Sequence, residues 1–258
     1  MGQGLKLHDS DWKTILDRHR IWLESAGREG QRADCSEMNF SGMNLQGVNL
    51  EKACLRRAWL EGVNLRVANL KDADLREVSL RKAGLQWSMV MGADLEGASL
   101  QETQLQFSNF SGANLARSKL TGAFLHNAFF SRARLNGADF TGASFRFNEL
   151  DSTEMRGAVF RMAVIPEVKF GRADLRESDF SQAEIIRSEF QQADLKQALF
   201  REATIVKSIF PGADFREADF EGAKIKESDF RQAYFQGVRL GDVEISACDF
   251  RDSDFPGK

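Results

Sequence analysis

The chain has 258 residues, 42% of them hydrophobic and 28% charged, with a net charge of −3 at pH 7. That balance excludes a polyanion and a basic nucleic-acid binder as the character of the whole molecule. No apolar run approaches the ~20 residues of a membrane span, and the three cysteines (Cys35, Cys54, Cys248) suggest no disulfide framework, which fits a reducing cytoplasm.

Met1–His8 lacks the apolar core of a secretion signal, so a cytoplasmic location is expected, with export by a signal-independent route left open. Residues 9–26 then read as a helix. Trp12, Ile15, Leu16, His19, Trp22 and Leu23 follow helical spacing, Asp9 or Ser10 can cap its start, and Gly27 and Gly30 mark its exit. Residues 1–32 are expected to form a helical cap over the end of a repeat domain, 33–258, since repeat proteins need such caps for solubility.

From Cys35 to Phe255 every fifth residue is Leu, Phe, Ile, Val, Met or Cys, 45 positions without a break. A period of five is neither the two of a strand nor the 3.6 of a helix, so it marks a small unit repeated along an axis. Two residues before each of these centres lies a second restricted position. Alanine holds 25 of the 45, and only Met38, Met43 and Asn148 are bulkier than Ser, Thr, Val or Cys. Each unit therefore buries one large and one small side chain and shows three residues to water. A short extended piece followed by a turn satisfies this. Fourteen of the 21 glycines lie two after a centre, where a type II turn needs φ > 0, and all three prolines lie one after a centre. Four such turns close a square. A 20-residue echo supports the closure: Ile165, Ile185, Ile205, Ile225 and Ile245 form one series, Phe170, Phe190, Phe210, Phe230 and Phe250 another, and Ser188, Ser208 and Ser228 a third.

Units such as Ala73-Asp74-Leu75-Arg76-Glu77 and Ala93-Asp94-Leu95-Glu96-Gly97 resemble the A(D/N)LXX motif of the pentapeptide-repeat family. The resemblance covers residues 33–257. It implies an all-β solenoid, a right-handed quadrilateral β-helix of about 11 coils, roughly 54 Å long at ~4.8 Å per coil.

Four of the 21 phenylalanines avoid the centres: Phe107, Phe124, Phe129 and Phe147. On a square coil they gather with Trp87 and Met89 on one corner, along the ladder Val67, Trp87, Phe107, Asn127, Phe147. Aromatic and Met residues are favoured at protein interfaces, which makes this corner a candidate partner-binding site. The competing reading has the rings lying over the turns and shielding the core. A second ladder is acidic: Glu154, Asp174, Asp194 and Asp214, beside Arg156, Arg176, Lys196 and Arg216. The family resemblance implies a DNA-mimicking topoisomerase (gyrase) binder, protecting against gyrase inhibitors, as one possible role. The chain has neither the projecting loop nor the C-terminal dimerisation helix of those relatives. Residues 171–258 carry 18 acidic and 13 basic residues, and a charge-balanced solvated face fits them better.

The last coil is expected to expose Leu240, Ile245, Phe250 and Phe255, and an open edge of this kind favours contact with a second copy, tail to tail. A last coil folded over itself is the alternative. No phosphate loop, Gly-x-Ser-x-Gly elbow or His-Glu-x-x-His sequence occurs, and His8, His19 and His126 are scattered, with His126 expected to be an exposed turn residue. The sequence thus points to a non-catalytic interaction scaffold or adaptor. No cofactor, no metal, no membrane span and no direct nucleic-acid contact are expected, and the partner is another protein. A secretion-associated adaptor or effector is the further possibility that the resemblance implies.

Overall fold

The computed structural model describes residues 9–256, apart from the side chains of Asp9 and Ser10, so the helix-capping expectation lies outside the described side chains. The chain forms a helix, α1 (Asp9–Glu24), followed by a parallel β-solenoid. Residues twenty apart pair in parallel throughout, from Asp34↔Cys54 to Asp229↔Asp249. On one side the extended pieces are long enough to count as strands: β1 (Val164–Pro166), β2 (Glu184–Ile186), β3 (Thr204–Val206), β4 (Lys224–Lys226) and β5 (Glu244–Ser246). They stack in chain order, with Ile165, Ile185, Ile205, Ile225 and Ile245 in vertical register.

The five-residue period arises from a repeated turn. The amide three residues after a centre donates to the carbonyl of that centre, as in Met43 to Phe40 and Ala213 to Phe210, both 3.0 Å. Every residue two after a centre, from Glu37 to Asp252, has positive φ; glycine occupies 13 of these places and other residues the remaining 31. Glycine is therefore favoured here but not required. The left-handed residue is held by the next coil, because its N–H donates to a carbonyl 19 residues on, as Trp87 does to Gln106. The centres and small inward residues are almost wholly buried, forming one continuous core. Phenylalanines in neighbouring coils stack nearly parallel: Phe160–Phe180 at 4.6 Å and Phe180–Phe200 at 5.1 Å between ring centroids.

One side changes its turn along the axis. At Leu125 the usual bond closes the turn, Ala128 N to Leu125 O at 2.9 Å. From Ile165 onward a serine hydroxyl of the following coil enters the open turn. Ser188 Oγ accepts from Val168 N at 3.1 Å and donates to Ile165 O at 2.8 Å. Ser208 does the same for Ser188 and Ile185, and Ser228 accepts from Ser208 N. Asn148, the bulky exception in the small position, sits at the joint. Its Nδ2 donates to Leu125 O and Ala128 O at 2.5 and 3.0 Å, and its Oδ1 accepts from Arg146 N at 2.8 Å.

Helix α1 lies over the first coil. Trp12 packs edge-on against Phe40 at 5.0 Å, and buried His19 accepts from Ala33 N through Nδ1 at 3.1 Å. Gly30 passes so close to the helix that a Cβ there would collide with Arg18 O, so no larger residue fits.

Candidate functional site

The αL residue of each turn points its side chain off a corner of the coil, and a residue one before a centre faces outward from a flat side. Three neighbouring columns meet at the aromatic corner. Phe124 stands in the column Gln104–Phe124–Ser144, and Met89 and Phe129 in the column Met89–Asn109–Phe129. Trp87, Phe107, Asn127 and Phe147 occupy the turns between them, all at positive φ. The sequence-predicted residues are thus brought together. All six are 41–54% exposed, against near-zero exposure for the centres beneath them. Two of these rings do not lie flat over the core. Trp87 and Phe107 stand upright and stack on each other, with centroids 4.2 Å apart and planes within 5°. Arg146 lies over the Phe147 ring, 4.8 Å from its centroid.

Val164 was not singled out by the sequence, yet it continues the Phe124 column past Ser144 and is 39% exposed. Its place one before centre Ile165, where any outward residue can stand, gave no signal. The corner is also electrostatically distinct. From Asn64 to Phe147 the outward and turn positions of its three columns hold no carboxylate, and only Arg66 and Arg146 are charged. His126 is half-buried rather than exposed. Its Nε2 lies 2.9 Å from Ser144 Oγ, and burial, with help from Arg146, lowers its pKa.

The acidic ladder stacks as expected, Glu154↔Asp174↔Asp194↔Asp214, and ends at Tyr234. Its charges are matched in place. Arg176 grips Asp174 with two bonds of 2.6 and 2.7 Å and lies 3.8 Å from Asp194. Lys196 bridges Asp194 and Asp214, each at 3.2 Å, and Arg216 holds Asp214 at 2.7 Å. Hydrogen bonding to Arg176 holds the Asp174 carboxyl below its usual range. Burial raises the pKa of Asp214, but bonds from Arg216 and Lys196 outweigh it and the pKa falls. Glu154 accepts from Asn136 Nδ2 at 3.3 Å. The motif recurs outside the ladder, as Asp74–Arg76 and Asp229–Arg231.

Leu240, Ile245, Phe250 and Phe255 are only partly buried, in contrast to the centres of earlier coils. Phe255 departs from the stack: it meets Phe235 edge-on at 88° and lies against Phe250 at 4.2 Å. The Asp254 carboxylate accepts from Phe235 N at 2.5 Å, replacing the carbonyl that serves this bond in earlier coils. The last described coil thus folds partly over itself while leaving its core half open. Among the described residues no group of His, Cys, Asp and Glu is arranged to hold a metal ion, and no helix is long and apolar enough to cross a membrane.

Comparison with known proteins agrees with this geometry. The model described as "Pentapeptide repeat region" matches residues 33–110, and "Pentapeptide repeats (8 copies)" matches 98–137, 130–161, 167–202 and 213–252. No curated protein matches the chain. Among solved structures, HetL from the cyanobacterium Nostoc sp. strain PCC 7120 shares 26% identity, covers 90% of this chain and 96% of its own, and gives a TM-score of 0.56. A trypsin-treated form of QnrB1, a plasmid-mediated fluoroquinolone resistance protein, shares 17% identity over 75% of this chain and 87% of its own, with a TM-score of 0.42. With the 20-residue ladder and the repeat matches together on one chain, the protein is a repeat scaffold that belongs to the pentapeptide-repeat family.

Proposed function

We propose that this protein is a non-catalytic interaction scaffold that engages a partner protein through the corner formed by Trp87, Met89, Phe107, Phe124, Phe129 and Phe147. One observation carries the reading: large apolar side chains are exposed, with Trp87 and Phe107 stacked upright, on a carboxylate-free stretch of an otherwise charge-rich rod. Isolated exposed apolar residues are ordinary, but a contiguous set on a rigid support supplies contact area at little ordering cost. HetL is involved in heterocyst differentiation regulation, a role that likewise fits a protein acting by contact.

The test is co-purification with wild type beside a Trp87→Ser/Phe107→Ser double variant. Loss of a specific partner with unchanged melting supports the corner. Loss of stability with no loss of partner shows that the rings serve the core. The acidic ladder supports a second reading, a topoisomerase-binding DNA mimic. Paired carboxylates give it a weak far field, however, so it ranks below the first. A supercoiling assay unaffected by excess protein retires it.

A further inference from the structure

The aromatic ladder on the corner has an interrupted rung. Val67, Trp87, Phe107, Asn127 and Phe147 follow one another at 20-residue intervals, and Asn127 alone replaces a ring between two others. One face of each of those two rings is covered. Trp87 stacks on Phe107 at 4.2 Å. Arg146 lies over Phe147, and its Nε is 3.6 Å from Glu167 in the following coil. Phe107 and Phe147 flank the Asn127 rung, one coil on either side.

The width of that gap follows from the coil. Two coils separate the rings, roughly 9.6 Å at ~4.8 Å each. The interior shows what two coils hold: between Phe160 and Phe200 there is one ring, Phe180, at 4.6 and 5.1 Å from its neighbours. The same spacing on the corner leaves room for one ring that the chain does not supply. Phe124 and Phe129 flank the place from the two sides, and the half-buried Asn127 carries an amide with a donor and an acceptor.

We infer that the Asn127 rung is a slot that receives one planar aromatic side chain from a partner protein, completing the stack between Phe107 and Phe147. The inference rests on the corner being the partner surface and names what the partner must present: a Phe, Tyr or Trp on a projecting segment. The rung itself carries no carboxylate, while Glu149 follows Phe129 in its column and Glu167 lies beside Arg146.

The test uses the full chain with ring-13C-labelled phenylalanine and N-acetyltyrosinamide as probe, with N-acetylleucinamide as the non-planar control. Upfield ring-current shifts of the Phe107 and Phe147 signals are expected at millimolar tyrosine probe, and none with the leucine probe. Asn127→Phe fills the rung with the chain's own ring and should abolish the shifts. Positive φ at this turn already accommodates Trp87, Phe107 and Phe147, and an unchanged melting temperature verifies the fold. Asn127→Ala leaves the slot open and should retain the shifts. Absence of shifts in the wild type, equal shifts with the leucine probe, or persistence in Asn127→Phe overturns the slot. If those fail while the Trp87/Phe107 variant still loses a partner, the corner stands without the slot. If partner capture also ignores the corner, both readings fall.

Discussion

Replacing Asn148 by alanine installs the commonest residue of the small inward position, which alanine holds in 25 of 45 units. Repeat statistics therefore make Asn148→Ala look neutral or stabilising, whereas the structure makes it costly. The side chain is 1% exposed and makes three hydrogen bonds. Leu125 O keeps a second donor, Ala128 N, when the amide is removed. Ala128 O loses the buried donor that bonds it at 3.0 Å, at a cost of about 1–3 kcal/mol. The part-buried Arg146 amide loses its acceptor, for about 1 kcal/mol. The space vacated by a carboxamide adds about 1 kcal/mol. Together these give a loss of about 3–5 kcal/mol in urea unfolding followed by far-ultraviolet circular dichroism. Asn148→Asp should be at least as harmful, since it turns a carboxylate toward two carbonyl oxygens. A loss below about 0.5 kcal/mol for Asn148→Ala would show that the turn closes with the ordinary bond, and would refute the idea of a joint between two turn types.

Ser208→Ala removes a buried hydroxyl that accepts from Ser188 N and donates to Ile185 O and Val206 O, so about 1–3 kcal/mol of stability should be lost in the same assay. Burial lowers the His19 pKa, so the unfolded chain takes up the proton first. The contribution of this histidine to cap stability is therefore full above about pH 6.5 and is lost as pH falls through the lowered value. Tryptophan fluorescence of the cap between pH 7.5 and 5 should report this loss, and His19→Gln should remove the pH dependence. Asp174 and Asp229 have lowered values too, so their contribution is present above about pH 4 and is lost below it, in a separate window. For the 258-residue polypeptide, we propose self-association through the half-open Leu240, Ile245, Phe250 and Phe255. Sedimentation should show a dimer that Phe250→Ser/Phe255→Ser returns to monomer, and a wild-type monomer would remove the proposal.

The square coil was legible in the sequence because its cause is local and repeated: a large centre, a small partner two before it, and a turn. The register of Ile165 over Ile185 and Ile205 follows directly from that period. The position of the aromatic corner followed too, since a fixed register converts sequence intervals into columns. The orientation of its rings did not. Whether Phe107 lies over the turn or stands upright depends on a side-chain rotamer, and the stack on Trp87 settles it in favour of standing. Glycine was a partial guide, because 31 other residues adopt the same left-handed turn once the coil above and below fixes them. The change of turn type left only two traces in the sequence, the Ser188, Ser208 and Ser228 series and, at Asn148, a bulky polar residue in the small position. Its meaning lay in bonds to Leu125 and Ala128, a full coil away.

The two exposed ladders differ in how completely the chain satisfies them itself. Along the acidic ladder each carboxylate from Asp174 to Asp214 has a guanidinium or ammonium within 3.2 Å, so an approaching partner must first displace an internal cation. Such exposed pairs contribute little to stability and leave little field at a distance. Along the aromatic ladder each ring has one internal partner, Trp87 on Phe107 and Arg146 on Phe147. Phe107 and Phe147 stay about half exposed on either side of Asn127, and burying that surface gains free energy. On the proposed reading, a rod that neutralises its own charges and exposes these rings would be recognised by shape and apolar contact. Its affinity for a partner should therefore vary little with salt, whereas a charge-driven mimic would lose affinity steeply.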